Sequence, residues 1–169
     1  QILTVPTRIL THHDNICDTI NEFGKRKFGP NDVICVAESV VAITQNRAVR
    51  CEDFKPTLLA KFFCLLFPSK ESLSGWYSMQ SLLDAEVNAR VVSAVIVCCI
   101  AKIFGKPGVF YERAGEQARL IDDVTGTMPP YDKHIVYGPS EANKVVVVIK
   151  EATGVFGAAV ADVNDLKRA

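Results

Sequence analysis

"EQARLIDDVTGTMPPYDKHIVYGP", residues 116–139, is punctuated by Gly126, Pro129, Pro130, Gly138 and Pro139 too often for a helix. It predicts short strand segments and turns. Directly after it, Ser140 is placed to cap a helix over "EANKVVVVIKEATG", residues 141–154, with Glu141 in the first turn and Gly154 at the C-terminal side. "VFGAAVADVN", residues 155–164, then reads as a final buried strand. A turn-rich centre set between helices and apolar strands does not match a simple doubly wound sheet. The expected fold class is α+β, a mixed α/β arrangement, organised as a single domain over residues 1–169.

The upstream half fits the same pattern. After an extended start, "LTVPTRIL", Asp14 is placed to cap a helix whose apolar positions Ile16, Ile20 and Phe23 recur at intervals of three and four. Gly29 and Pro30 close the connection to "DVICVAES", which reads as a buried strand. "VVAITQNRAVR" ends its apolar run at Gln45, Asn46 and Arg47, a triplet suited to a turn or short helix that leads into another strand and presents Arg47 at a site. "CEDFKPTLLAKFFCLLF" predicts a loop and a short apolar helix, with Pro56 in its first turn and Pro68 after its end.

Residues 71–105 predict a helix, a break and a second helix. The apolar run "VVSAVIVCCIAKIF", residues 91–104, is stopped by Gly105 and Pro107 and falls short of the ~20 residues that span a bilayer. It reads as a buried core helix, and no transmembrane segment is expected. "GVFYERAG", residues 108–115, reads as a strand with Tyr111, Arg113 and Gly115 at its exit.

Composition excludes several function classes. Lys plus Arg and Asp plus Glu both total 19, so no global field favours nucleic acid or an acidic membrane surface. The aromatics are not interleaved with a basic patch, which argues against single-stranded nucleic acid. There is no GxxxxGK[ST] and no GxGxxG after a strand, which disfavours a P-loop or ordinary Rossmann enzyme. Pro6 and Arg8 interrupt the first apolar residues, so they do not form a signal peptide; the chain starts at Gln1 without Met, which leaves room for a removed targeting segment. Cys17, Cys35, Cys51, Cys64, Cys98 and Cys99 form no CxxC pair and no zinc spacing. They read as buried, reduced core thiols of a reducing compartment, with a disulfide framework as the alternative.

The chemistry-bearing candidates are acids. Asp122 and Asp123 close one apolar run; Asp162, with Asn164 and Asp165, closes another. Carboxylates at two strand ends can converge on one point, where they repel unless a cation or proton intervenes. Mg²⁺ or Mn²⁺ suits such a set, taking one or two carboxylates and filling its other positions with water and nucleotide phosphates. The same residues can instead form Asx turns or helix caps. Arg113, in the polar cluster with Glu116, Gln117 and Arg119, can clamp a phosphate or neutralise the acids. His12 and His13 read as exposed residues before a helix. No Ser/His/Asp or Cys/His arrangement surrounds His134.

"NDVICVAESVVAITQNR", "AGEQARLIDD" and "TGVFGAAVADVNDLK" in this order resemble the coenzyme F-420-0:gamma-glutamyl ligase family, most closely its cyanobacterial and plastid-type members, over nearly the whole chain. The resemblance implies a mixed α+β ligase fold, usually dimeric, that joins L-glutamate in amide linkage to a deazaflavin precursor with GTP and Mg²⁺ or Mn²⁺. It implies metal ligands at Asp122, Asp162 and Asn164; from the residues themselves Asp123 and Asp165 are further candidate donors, and Arg47 or Arg113 the candidate phosphate contact.

Departures accompany the likeness. Where ligase members carry Ser-Lys-x-Glu-Gly-Arg, this chain has Ala42, Ile43, Thr44, Gln45, Asn46 and Arg47, keeping the Arg alone. Thr125 replaces an Asn and Val163 a Thr. Family members continue well past this segment, so the fold is expected to be truncated at its C-terminal side near Ala169. Two functions follow: a GTP- and metal-dependent carboxylate–amine ligase, or a divergent non-catalytic paralogue serving as a structural or binding subunit of a larger assembly. Either is expected in the cytoplasm or plastid stroma, as a homodimer or part of a complex.

Overall fold

The structure, a computed structural model, describes residues 2–24, 27–67, 72–104, 106, 109–121 and 129–162. In chain order its elements are α1 (Ile16–Gly24), β1 (Val33–Ala37), α2 (Glu38–Thr44), β2 (Ala48–Arg50), α3 (Leu58–Cys64), α4 (Trp76–Ala85), α5 (Asn88–Ile103), α6 (Val109–Arg113), α7 (Gln117–Leu120), β3 (His134–Val136), α8 (Ala142–Thr153) and β4 (Gly157–Ala161). Among the described residues helices outweigh strands, and the strands form two separate pairs, an α+β arrangement. The chain divides into two compact units, residues 1–47 with 139–169, and residues 48–138.

In the first unit β1 and β4 run parallel, in register from Val33 opposite Gly157 to Ala37 opposite Ala161. α8 packs on β4 and on α1, with Ile149 and Val155 buried between the elements. α1 is capped by Asn15, whose Oδ1 accepts the N–H groups of Cys17 at 2.9 Å and Asp18 at 3.3 Å. Asp14, the expected cap, instead takes the Thr11 N–H at 2.7 Å and the Arg8 guanidinium. β1 is not the buried strand that its apolar run predicts. Val33 and Cys35, two apart and so on one face of the pair, are exposed.

The main core lies in the second unit, around Phe63, Leu73, Met79, Leu82, Val91 and Phe110. Thr57 caps α3 by accepting from the Ala60 N–H at 3.3 Å. Gln80 of α4 ties that cap down, its Oε1 accepting from both the amide and the hydroxyl of Thr57 at 2.9 Å. Pro56 therefore precedes the cap rather than entering the first turn. α4 and α5 form the expected pair of helices with a break between them. α5 buries Val91, Ala94 and Val95 at the three- and four-residue spacing of one helix face, while Ile96, Ile100 and Phe104 are more than half exposed. The expectation of an all-round buried helix holds for one stripe of it.

Two segments expected to be extended are helical. "VFYER" forms α6 because Phe110 is driven into the core against α5, its ring 4.7 Å from Phe67 in an edge-to-face arrangement. Burying such a ring contributes roughly 1.5–3 kcal/mol, more than the strand preference of its neighbours. α7 replaces the strand expected before Asp122, so the apolar run closed by that acid is a helical turn followed by buried Ile121. β2 and β3 pair antiparallel, Ala48 opposite Val136 and Arg50 opposite His134.

All six cysteines are free, but Cys64 alone among them is buried; Cys35 and Cys99 are exposed. Burial pushes the Cys64 thiol above its ordinary pKa. Among the described residues no helix is long and apolar enough to cross a membrane.

Candidate functional site

Arg47 is placed by the way α2 ends. The Asn46 N–H bonds to the Ile43 carbonyl and the Arg47 N–H to the Ala42 carbonyl, both at 2.9 Å, the paired bonds of a Schellman turn. That turn needs a left-handed residue, and Asn46 supplies it at φ 59°. The helix thus stops sharply and half-buried Arg47 is delivered beside it.

The facing wall is the start of α8. Ser140 does not cap this helix; its N–H donates to Gln45 Oε1 at 2.7 Å, and its carbonyl accepts from Gln45 Nε2 at 3.0 Å. Glu141 occupies the cap position in the left-handed region at φ 50°, unusual for a Glu, with no side-chain cap bond. Its carboxylate pairs with Lys144 one turn on. Between the walls runs a groove of about 450 Å³, lined by Gln45, Arg47, Ser140, Glu141 and Lys144, with Ile16 and Val145 as its apolar floor. The uncapped N-terminus of α8 contributes amide N–H groups that no helix carbonyl satisfies, and the positive end of its dipole.

Asp162 stands at the carboxyl edge of the parallel pair. It is the first residue after Ala161, which pairs with Ala37, and Glu38 is the first after Ala37. Both acids therefore follow the last paired couple, the end at which open parallel sheets place ligands. Asp162 is exposed; Glu38 is half-buried, with its Oε1 shielded from water.

The remaining expected site residues separate into two groups. Asp122, Asp123, Asn164 and Asp165 lie outside the described residues, as do Thr125 and Val163. Arg113 is exposed at the end of α6 in the second unit, and its carbonyl accepts from Arg90 Nε at 3.1 Å. Its neighbour Gln117 is occupied structurally, donating its N–H to Glu86 Oε1 and accepting from the Gly138 N–H, each at 3.2 Å. His12 and His13 are exposed, as their place before a helix implies. His134 opens β3, half-buried, its ring edge-to-face with Tyr131 at 5.3 Å.

Of the expected metal ligands the described part holds Asp162 alone, an exposed carboxylate at a strand end. Among the described residues no cluster of three His, Cys, Asp or Glu side chains could hold a metal. Lys144 and Glu38 escaped the sequence reading. The signal for Lys144 was present in "PSEANK", a helix start with a cation in its first turn, where an anion finds free N–H groups.

No curated protein matches this chain. The family model of F420-0:gamma-glutamyl ligase matches residues 4–164, from the extended start through Asp162 and Asn164. On that match the chain belongs to the F420-0:gamma-glutamyl ligase family, with a ligase-like function.

Proposed function

We propose that this protein is a GTP- and metal-dependent carboxylate–amine ligase of the gamma-glutamyl type. The observation that supports it is the placement of Arg47 and Asp162 in the same compact unit, one lining a polar groove and the other at the carboxyl edge of a parallel strand pair, in a chain of this family. Asp122, Asp162 and Asn164, with Asp123 and Asp165 as further donors, would hold Mg²⁺ or Mn²⁺. When bound, the ion neutralises phosphate charge during phosphoryl transfer. Arg47, rather than Arg113, binds phosphate through its planar fork, because Arg47 lines a groove and Arg113 stands exposed on a short helix. The reaction transfers the terminal phosphoryl group of GTP to a substrate carboxylate; an amine such as that of L-glutamate then attacks the acyl carbon and releases phosphate.

A second reading is favoured by Gln45. Where ligase members carry Glu, this chain uses an amide as a clamp on Ser140, and Ile43 replaces a Lys of the same segment. A non-catalytic paralogue in an assembly, homodimeric or larger, would keep the fold and cover the apolar side chains that α5 leaves exposed. Free cysteines support a reducing compartment, cytoplasm or plastid stroma, for either reading.

Calorimetric titration with GTP, with and without Mn²⁺, separates the two. The ligase reading expects Mn²⁺-dependent binding that Asp122→Ala and Asp162→Ala each abolish. Binding of GTP that both variants retain would sink the metal assignment, and no GTP binding at all would favour the paralogue.

A further inference from the structure

We infer that the groove beside Arg47 is an oligophosphate site in which Lys144 is the second cation and Glu141 is the counter-ion that a bound phosphate displaces from it. The identity of the phosphate as the tail of a nucleoside triphosphate rests on the ligase reading; the site itself rests on the groove.

Two cations line one groove. Arg47 comes from the Schellman turn after α2, and Lys144 from the first turn of α8. The walls are held together by the two-way bond between Gln45 and Ser140, which uses both backbone groups of Ser140 and leaves its position little freedom. The volume, about 450 Å³, is within the range of small-ligand sites. Ile16 and Val145 add apolar lining.

The acid in the groove explains how the cation is kept ready. The Glu141 carboxylate holds Lys144, but both side chains are mostly solvent-exposed, at 60% and 74%. An exposed pair of two flexible side chains is weak. A ligand with several charges, contacting Lys144, Arg47 and the free amide groups of the α8 N-terminus together, outcompetes it. Glu141 can then swing to water without leaving a buried charge.

The test titrates the full 169-residue chain with inorganic pyrophosphate in the absence of metal, in parallel with GTP plus Mn²⁺. Pyrophosphate should bind. Lys144→Gln and Arg47→Gln should each weaken it about tenfold, the effect of losing one charge-assisted contact. Glu141→Gln should tighten it several-fold by removing the competitor, and raised salt should weaken it in every variant. Thermal melts check that the substitutions leave the fold intact. Absence of pyrophosphate binding, or equal affinity in the unsubstituted chain and Lys144→Gln, overturns the inference. GTP binding lost in Asp162→Ala yet unchanged in Lys144→Gln and Arg47→Gln overturns it too, while leaving the ligase reading standing. Pyrophosphate bound with the expected variant pattern, but no GTP, supports the groove and sinks the nucleotide assignment.

Discussion

Gln45 and Ser140, ninety-five positions apart, hold each other by two hydrogen bonds, the Gln45 amide acting as acceptor at 2.7 Å and donor at 3.0 Å against one backbone unit. This pairing fixes the turn that follows α2 against the start of α8. A Glu, the residue of the ligase pattern at this position, could accept but not donate, and its charge would face the Ser140 carbonyl. Gln45→Glu is expected to destabilise the chain by about 1–2 kcal/mol, the scale of one lost bond plus an unsatisfied partner at a partly solvated site. Urea unfolding followed by circular dichroism measures it, and a midpoint equal to that of the unsubstituted chain would refute the clamp.

α7 should be the element most sensitive to glycine substitution. Four residues cannot sustain a helix alone, so α7 depends on its ties. Glu86 accepts from Gln117, and Gly115 lets that carboxylate close over the backbone at φ 119°. A Cβ at Gly115 would lie 2.2 Å from the Glu86 carboxyl carbon. Glu86 could swing away only by giving up Gln117 and its partner Arg90. Gly115→Ala is expected to cost about 1–3 kcal/mol, because the backbone strain remains wherever Glu86 goes. Hydrogen exchange should show faster exchange at residues 117–121; uniform loss across the chain would point elsewhere.

The contrast between Asn15 and Asp14 gives a cap prediction. Asn15 Oδ1 satisfies two amide groups at the start of α1, so Asn15→Ala should cost about 1 kcal/mol in chemical denaturation. Asn15→Asp should retain most of that stability, since a carboxylate accepts as well and favours the positive end of the helix. Equal loss in both variants would argue that the amide N–H, not the capping oxygen, is what matters.

How far the sequence revealed this molecule depends on the length and setting of each segment. α1 was legible from the three- and four-residue spacing of Ile16, Ile20 and Phe23, α5 from its apolar run before Gly105 and Pro107, and α8 from Gly154 at its C-terminal side, where the left-handed backbone is found. The α2 turn was also legible, because Asn46 and the polar triplet interrupt an apolar run. α6 was not. Five residues show no period, and Val109, Phe110 and Tyr111 favour a strand until the contacts of Phe110 with α5 and Phe67 are known. Asp14 was expected to cap α1; that Asn15 does so instead goes with Arg8 folding back onto Asp14, a contact the sequence does not show. At the candidate site, Arg47 was legible as a polar residue at a turn, whereas Lys144 reads locally as a surface lysine until the fold puts it in the lining of the same groove.

Arg8 and Asp14 make the stability of the first unit depend on acid. The Arg8 guanidinium, then the Thr11 N–H, hold the Asp14 carboxyl well below the usual carboxylate range. A depressed native pKa means that the unfolded chain takes the proton first. The contribution is therefore complete above the unfolded value, about pH 4, and is lost as pH falls from there through the native value. Asp14→Asn cannot take that proton, so its melting temperature should fall less steeply than that of the unsubstituted chain between about pH 4 and pH 2. Arg8 is half exposed, so raised salt should narrow the difference between the two chains at neutral pH. Parallel slopes in the two melts across the acid range would show that the pair forms without contributing to stability, and that α1 is held by its Asn15 cap and its packing on α8 alone.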